Sequence, residues 1–269
     1  MNPRVVCPAC QRGVLALPAT PNGQAACAHC AAHFPLAQGI LDLLPSAAPR
    51  SLAQRAMEWP PIVRIYESRL WRRSPIAAAA MRISFEREYA IIAAAARLTP
   101  AAAVLDLACG PGIYARRFAA AVPQGVVVGL DLSLPMLRFA ARRAVAAGLR
   151  NLALLHGDAM ALPFEAGRFD LVNCCGALHL FPDLAQVLRE SARVLAPGGR
   201  FTAAAFRRRD GRAAESATRL RRRFGVDAFH PDELSRRLAA AGLGDIRCHH
   251  AAGVWLIMSA VRPEPASAA

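Results

Sequence analysis

Lysine is absent from the 269 residues, so arginine carries all the permanent positive charge. Aromatic residues make up only 6% of the chain. No stretch reaches the roughly 18 uninterrupted apolar residues that a membrane helix needs. The nearest approach, IAAAAMRISFEREYAIIAAAARL, is broken by Arg82, Glu86, Arg87 and Glu88. The start, MNPRVVCPAC, has no apolar signal region and runs straight into a cysteine motif, so the expected location is cytoplasmic. The length suits one large domain, or one domain with a small appendage, and sustains a core without disulfides.

What is present is charge of one sign. The formal net charge is +14. Residues 200–225 hold nine arginines against Asp210 and Glu215, a local excess of seven. Such a patch suits RNA, an anionic substrate or a membrane surface; a solvated helical face accounts for it equally well.

Four of the eight cysteines fall in two pairs, CPAC (Cys7, Cys10) and CAHC (Cys27, Cys30), with sixteen residues between the pairs. Two short knuckles at this spacing predict a four-thiolate zinc ribbon over residues 1–45. Four thiolates and Zn²⁺ sum to −2, and Arg4, Arg12 and Asp42 add +1. A ribbon near −1 grips phosphate poorly, so a structural or docking role suits it better. His29 and His33 are spare ligand candidates better explained as exposed polar residues. Cys109, Cys174, Cys175 and Cys248 lie in or beside predicted strands and read as small buried hydrophobes.

Residues 46–80 form a connector rich in Pro, Arg and Trp. From residue 81 to 262 predicted strands and helices alternate, followed by a tail over 263–269. This pattern predicts an α/β fold with a doubly wound, mostly parallel sheet, closed by an antiparallel edge from GDIRCHHAAGVWLIMSAVR. Segments 50–80 and 207–230 fall outside the alternation and are expected to form a lid. Trp59, Tyr66 and Trp71 would stack there on an aromatic substrate or pack a helix.

The first strand of the series ends in VLDLACGPG, residues 104–112. A strand, a small-residue turn and a helix start suit a nucleotide-like ligand. Gly110 and Gly112 let the backbone approach it, and the helix start offers free N–H groups. Asp131 ends the second strand, where a carboxylate can take two ribose hydroxyls. Asp158 follows the third, where a carboxylate can accept from an exocyclic amine. Singly, each has a plainer reading: Asp106 as a helix cap, Asp131 as a cap or turn residue, Asp158 as a turn former.

VLDLACGPG, GLDLS, GDAMALPF, FDLVNCCGALHLFPD and ARVLAPGGRF occur in order, and together resemble class I S-adenosylmethionine (SAM)-dependent methyltransferases of the type 11-like group. The resemblance covers residues 81–262 and implies a Rossmann-like sheet of seven strands. It implies that Asp106, Ala108, Cys109, Gly110 and Gly112 surround the methionine part of SAM. Asp131 with Leu132 would hold the ribose, and Asp158 with Ala159 would flank the adenine. Ala108 stands where many members have glycine.

CPxC…CxxC, PIVRIYESRLWRRSP and GALHLFPDLAQVLRESARVLAPGG resemble the uncharacterised zinc-ribbon methyltransferases of plant plastids. More distantly, the layout resembles the rRNA guanine-N1 methyltransferases, which use a Cys₃His set. The tail HFPLAQGILDLLP resembles small zinc-ribbon activators of tRNA and translation-factor methyltransferases. His179, in GALHLF beyond the fourth strand, is the candidate general base, with a polar core or capping role as its alternative. Tyr114 either lines the cofactor pocket or packs, and His230 reads as the residue before a Pro-initiated helix. No Asn-Pro-Pro-Tyr-type tetrapeptide, the mark of amino-group methylation of bases, follows the fourth strand. The expected activity is therefore methyl transfer to a small molecule, such as a natural product or quinone-like aromatic. A nucleic-acid methyltransferase using the 200–225 patch and a non-catalytic SAM-binding scaffold are the alternatives.

Overall fold

A computed structural model describes residues 4–18, 20–44, 74–209, 211 and 225–265. Trp59, Tyr66 and Trp71, most of the expected lid, and the arginines of 212–223 lie outside the described residues.

The first described unit is built from short strands: β1 (Leu15–Ala16), β2 (Gly23–Cys27), β3 (His33–Ala37) and β4 (Ile40–Asp42). β1, β2, β3 and β4 pair in sequence, each antiparallel to the next. Helices α1 (Pro75–Met81) and α2 (Phe85–Ala96) follow. Ser74 and Ser84 cap them, each side chain accepting a backbone N–H three residues on. The alternating series comes next: β5 (Ala103–Leu107), α3 (Ile113–Ala121), β6 (Val126–Asp131), α4 (Leu134–Ala146) and β7 (Leu152–His156). β8 (Phe169–Cys175), α5 (Leu184–Val194), β9 (Leu195–Phe206), α6 (Pro231–Ala240), β10 (Gly244–Ala252) and β11 (Trp255–Val261) complete it. A 3-10 turn, Leu178–Leu180, links β8 to α5.

All eleven strands form one sheet in the order β1-β2-β3-β4-β7-β6-β5-β8-β9-β11-β10. The last seven in that order are the strands of the alternating region. The expectation of a seven-stranded sheet is therefore corrected. The outer strand β7 does not end the sheet but pairs in parallel with β4, with Ile40, Leu41 and Asp42 opposite Leu154, Leu155 and His156. Pairing covers an edge whose free N–H and C=O groups would otherwise invite association. Ile40 and Leu41 are each only 2% exposed, so the join is also an apolar one.

The expected antiparallel edge is present at the other end of the sheet, formed by β10 and β11. β11 is antiparallel to both its neighbours, but it lies between β9 and β10, leaving β10 at the rim. Burial explains the order: residues 255–260 are all buried, which requires neighbours on both sides, whereas β10 is largely exposed. Another shift is in β9. It starts at Leu195 rather than after the PGG turn, because Leu195 already pairs with Phe169 and Gly198, in the left-handed region (φ 73°), bends the strand without ending it.

The sheet buries both faces. One apolar layer runs from Val5, Leu15 and Leu41 through Leu105, Leu130 and Leu155 to Leu188 and Phe201. The cysteine unit thus shares a core with the alternating region. The other layer includes Ile92, Val104, Phe118, Leu137, Leu171 and Trp255. In β5 the two layers take alternate residues, as a strand covered on both sides requires.

Candidate functional site

The parallel strands bring three polar residues into line near their C-terminal ends. Asp106 on β5 is opposite Asn173 on β8, and Asn173 is opposite Thr202 on β9. All three are buried: 2%, 0% and 1% exposed. Asn173 Nδ2 donates to Asp106 Oδ1 at 2.6 Å, and Asn173 Oδ1 accepts from Thr202 Oγ1 at 2.9 Å and from Cys175 Sγ at 3.1 Å. The amide thus relays orientation from β9 to the carboxylate. Asp106 Oδ2 is buried with no hydrogen-bond partner among the described residues. Burial pushes the Asp106 carboxyl up to about 7, against the pull of the Asn173 donor and of the Ala115 backbone N–H in the first turn of α3. Gly112 occupies the N-cap position of α3, while the Asp106 carboxylate faces the Ala115 N–H of its first turn. A buried acid with an unmet oxygen at a sheet edge suits a ligand that brings a cationic donor.

The turn after β5 passes through left-handed backbone at Ala108 (φ 51°), Gly110 (φ 54°) and Gly112 (φ 76°). A Cβ on Gly110 would meet nothing within 4 Å, so the backbone there borders open space. At Gly112 a Cβ would lie 3.0 Å from Ala140 Cβ, so glycine is needed for close contact with α4. Cys109 is turned inward. Its thiol fits beneath Gly129, where an added Cβ would come within 2.9 Å of the sulfur. Burial, helped by Asp131 and Asp106, holds that thiol well above its ordinary range. Only the backbone of Cys109 is left to face a ligand.

Asp131 ties the turn to the next loop. Its Oδ2 accepts from Gly110 N and its Oδ1 from Ser133 N, each at 2.7 Å. Ser133, not Asp131, caps α4. Leu132 is half-buried, and its carbonyl accepts from His156 Nε2 at 3.0 Å. Asp158 is half-buried and accepts from Met160 N at 2.9 Å, the turn geometry its plainer reading requires. Ala159 beside it is 3% exposed. The fold therefore gathers Asp106, Ala108–Gly112, Asp131, Leu132, Asp158 and Ala159 at the ends of three adjacent strands, β5, β6 and β7. The open space beside Gly110 and the unmet oxygen of Asp106 fit an adenosylated amino acid such as SAM.

His179 lies on the 3-10 turn beyond β8 and is 5% exposed. Its ring packs on Phe206, with centroids 4.1 Å apart, and its carbonyl accepts from Asp227 N at 2.7 Å. Tyr114 packs rather than opening to the pocket: it is 6% exposed, meets Phe85 edge-on at 5.5 Å, and donates a hydrogen bond to the buried Glu88. His230 caps α6, its Nδ1 accepting from Asp232 N at 3.4 Å. Among the remaining cysteines, Cys174 is buried as expected, whereas Cys248 is exposed on the rim strand.

The second site is the cysteine cluster. The sulfurs of Cys7, Cys10, Cys27 and Cys30 all lie within 4.8 Å of one another. Cys7 and Cys30, and Cys10 and Cys27, are 3.7 Å apart. Bonds of about 2.3 Å to a tetrahedral zinc give a sulfur–sulfur edge of about 3.8 Å. The knuckle turns reach left-handed backbone at Gln11 and Ala31. Gly13 is needed for a close approach: a Cβ there would stand 2.5 Å from Cys27 Sγ. The backbone amides of Arg12 and Gly13 draw the Cys10 thiol down, while burial and the neighbouring thiols push Cys30 up. The donor set therefore fits a four-coordinate metal.

Asn173, Thr202, His156, Asp42 and Gly13 are not among the candidate site residues of the sequence; their roles come from contacts between segments distant in the chain. A signal existed for some of them: Asn173 and Thr202 are lone polar residues in the apolar strands FDLVNCC and RFTAAAF.

The comparisons bear on this site. Residues 104–199 match the model of a methyltransferase domain family. The demethylmenaquinone methyltransferase of Lactococcus lactis is 45% identical over 98 residues, which cover 36% of this chain and 39% of that protein. The chain spans about half or less of the length of the curated relatives it matches. Among solved structures, Haemonchus contortus phosphoethanolamine N-methyltransferase 2 superposes with a TM-score of 0.68 at 17% identity, over 82% of this chain and 62% of that one. A chain from a complex between a Haloferax volcanii methyltransferase activator and a methyltransferase superposes at 0.59 and 20% identity, over 81% of this chain and 100% of that one. The chain has the fold of the SAM-dependent methyltransferases. No helix among the described residues is long and apolar enough to cross a membrane.

Proposed function

We propose that the protein transfers a methyl group from SAM to a small-molecule acceptor of the quinone-like aromatic class. The observation that carries the reading is Asp106, buried with one oxygen unmet, beside a turn whose Gly110 borders open space. The acceptor class is supported by the Lactococcus lactis demethylmenaquinone methyltransferase, 45% identical over 98 residues.

When bound, SAM supplies a sulfonium-activated methyl group. The chain's part is to bind, orient and keep the site dry. Asp106, fixed by Asn173 and Thr202, would take the amino group of the methionine part. The backbone of Ala108–Gly112 would line that part, Asp131 and Leu132 would hold the ribose, and Asp158 with Ala159 would flank the adenine. His179 would accept the proton that the acceptor loses. Cys7, Cys10, Cys27 and Cys30 would hold one structural Zn²⁺, closing the ribbon with no open coordination position.

An RNA acceptor finds less support. Of the arginines described in the 200–225 patch, Arg208 pairs with Glu233 at 2.6 Å and Arg200 donates to the carbonyl of Ala95 at 3.4 Å.

The test is SAM binding by calorimetry, then transfer of labelled methyl to a reduced demethylated naphthoquinone or to total RNA. Label in the quinone fraction is expected. Label in RNA alone overturns the acceptor class, and SAM binding without label in either leaves the scaffold reading. Asp131→Ala should weaken SAM binding in a folded chain. His179→Ala should lower kcat with SAM affinity unchanged; an unchanged kcat refutes the base.

A further inference from the structure

The cysteine ribbon reaches the cofactor loop through one buried histidine. Asp42, the last residue of β4, places its Oδ1 2.7 Å from His156 Nδ1. The other ring nitrogen, Nε2, is 3.0 Å from the carbonyl oxygen of Leu132. The ring thus lies between two acceptors, the Asp42 carboxylate and the Leu132 carbonyl. His156 is 6% exposed, and the Asp42 side chain is 32% exposed. Leu132 directly follows Asp131, the residue whose carboxylate holds the amides of Gly110 and Ser133. The amide of Gly157 fixes the same loop from the other side, donating to the Asp131 carbonyl at 3.1 Å.

We propose that Asp42 is a positioning residue for the cofactor site: through His156 it holds the Leu132 carbonyl, and with it the carboxylate of Asp131, in place for the ribose. The inference rests on the SAM-binding reading above. It assigns the ribbon a specific task, to complete the cofactor loop.

Joining β4 to β7 does not need the Asp42 side chain. The strands already pair over three residues, Leu43 N donates to the His156 carbonyl at 2.9 Å, and Ile40 and Leu41 are buried in the join. Asp42 Oδ1 also accepts from Leu44 N at 3.2 Å, which orients the carboxylate toward the ring. What His156 adds is a bond to a carbonyl that belongs to neither strand.

The test is calorimetric binding of SAM and S-adenosylhomocysteine to the full, metal-loaded chain, with thermal midpoint and metal content measured alongside. Asp42→Ala is expected to weaken both ligands about tenfold, the loss of about one positioned hydrogen bond. Asp42→Asn keeps an acceptor for His156 and for Leu44 N, and should bind within about twofold of the wild type. Arg4→Ala cuts a separate ribbon contact, Arg4 to Glu165 at 3.8 Å, and should leave affinity unchanged. If Asp42→Ala loses metal or fold, His156→Phe leaves the β4–β7 pairing and removes the bond to Leu132, with the same tenfold expectation.

Wild-type affinity in a folded Asp42→Ala or His156→Phe overturns the proposal, as does equal weakening by Arg4→Ala. Asp42→Asn as weak as Asp42→Ala also refutes positioning by an acceptor. Wild-type chain that binds no SAM removes the cofactor reading, and the proposal with it.

Discussion

Asp106→Asn tests whether the cofactor site is bought with stability. The carboxyl rises from its ordinary 3.8 to about 7 because burial disfavours the ionised form. Raised in the folded state, the group contributes stability that is complete below pH 3.8 and is lost as pH climbs through about 7. At about 1.36 kcal/mol per pH unit, the ionised carboxylate costs the folded state about 4 kcal/mol above pH 7. Asparagine keeps the acceptor for Asn173 Nδ2 and removes the charge, but leaves a neutral amide where Oδ2 had no partner. The net gain is therefore smaller, about 2 kcal/mol at pH 8, which in a chain of this size is a rise of about 4–8 °C in Tm. The assay is a thermal scan of both proteins without ligand from pH 5 to 8.5. Across the scan the wild type should lose stability relative to the variant up to about pH 7 and run parallel to it above, the two drawing together toward pH 5. The same scans with SAM should shift the wild type upward and the variant little. Parallel curves, or a variant less stable at pH 8, refute the reasoning.

Gly13→Ala should lower bound zinc well below one per chain, because the new Cβ would lie 2.5 Å from Cys27 Sγ; elemental analysis showing full loading counts against the ribbon geometry. Chelation of the wild type should release the metal and loosen residues 4–44, read as faster amide exchange in β2–β4. Gly129→Ala should cost about 1–3 kcal/mol by overpacking against Cys109 Sγ, and Cys109→Ala in the same chain should recover part of that. Additive losses in that double mutant would show that the thiol and Gly129 do not compete for the same space.

How much the sequence disclosed depends on the range over which each feature is determined. The VLDLACGPG turn, the strand-end acids and the two CxxC knuckles are local: a few adjacent residues set the φ angles, the ends and the spacing of thiolates. These were legible. The order of β10 and β11 was not, since both are runs of similar length, and only the full burial of 255–260 makes β11 the inner one. The Asp106–Asn173–Thr202 line was half legible. A polar residue inside FDLVNCC is anomalous in a buried strand, but its partners lie 67 and 29 residues away and meet it only through parallel register.

The join of β4 to β7 was the least legible of all. ILD is three residues long, and nothing in its pattern distinguishes a strand that ends a ribbon from one that extends a neighbouring sheet. The distinction lies in the burial of Ile40 and Leu41 against a strand more than a hundred residues later, and in Asp42, an acid that finds a histidine at the same register. A small ribbon has little apolar surface of its own, so sharing a core is the cheapest way for it to be stable. Once it shares the sheet, its last carboxylate arrives at the same edge as the cofactor loops. That edge is where the parallel strands of β4, β7, β6 and β5 all end, so a unit attached there for stability is also placed to tune binding.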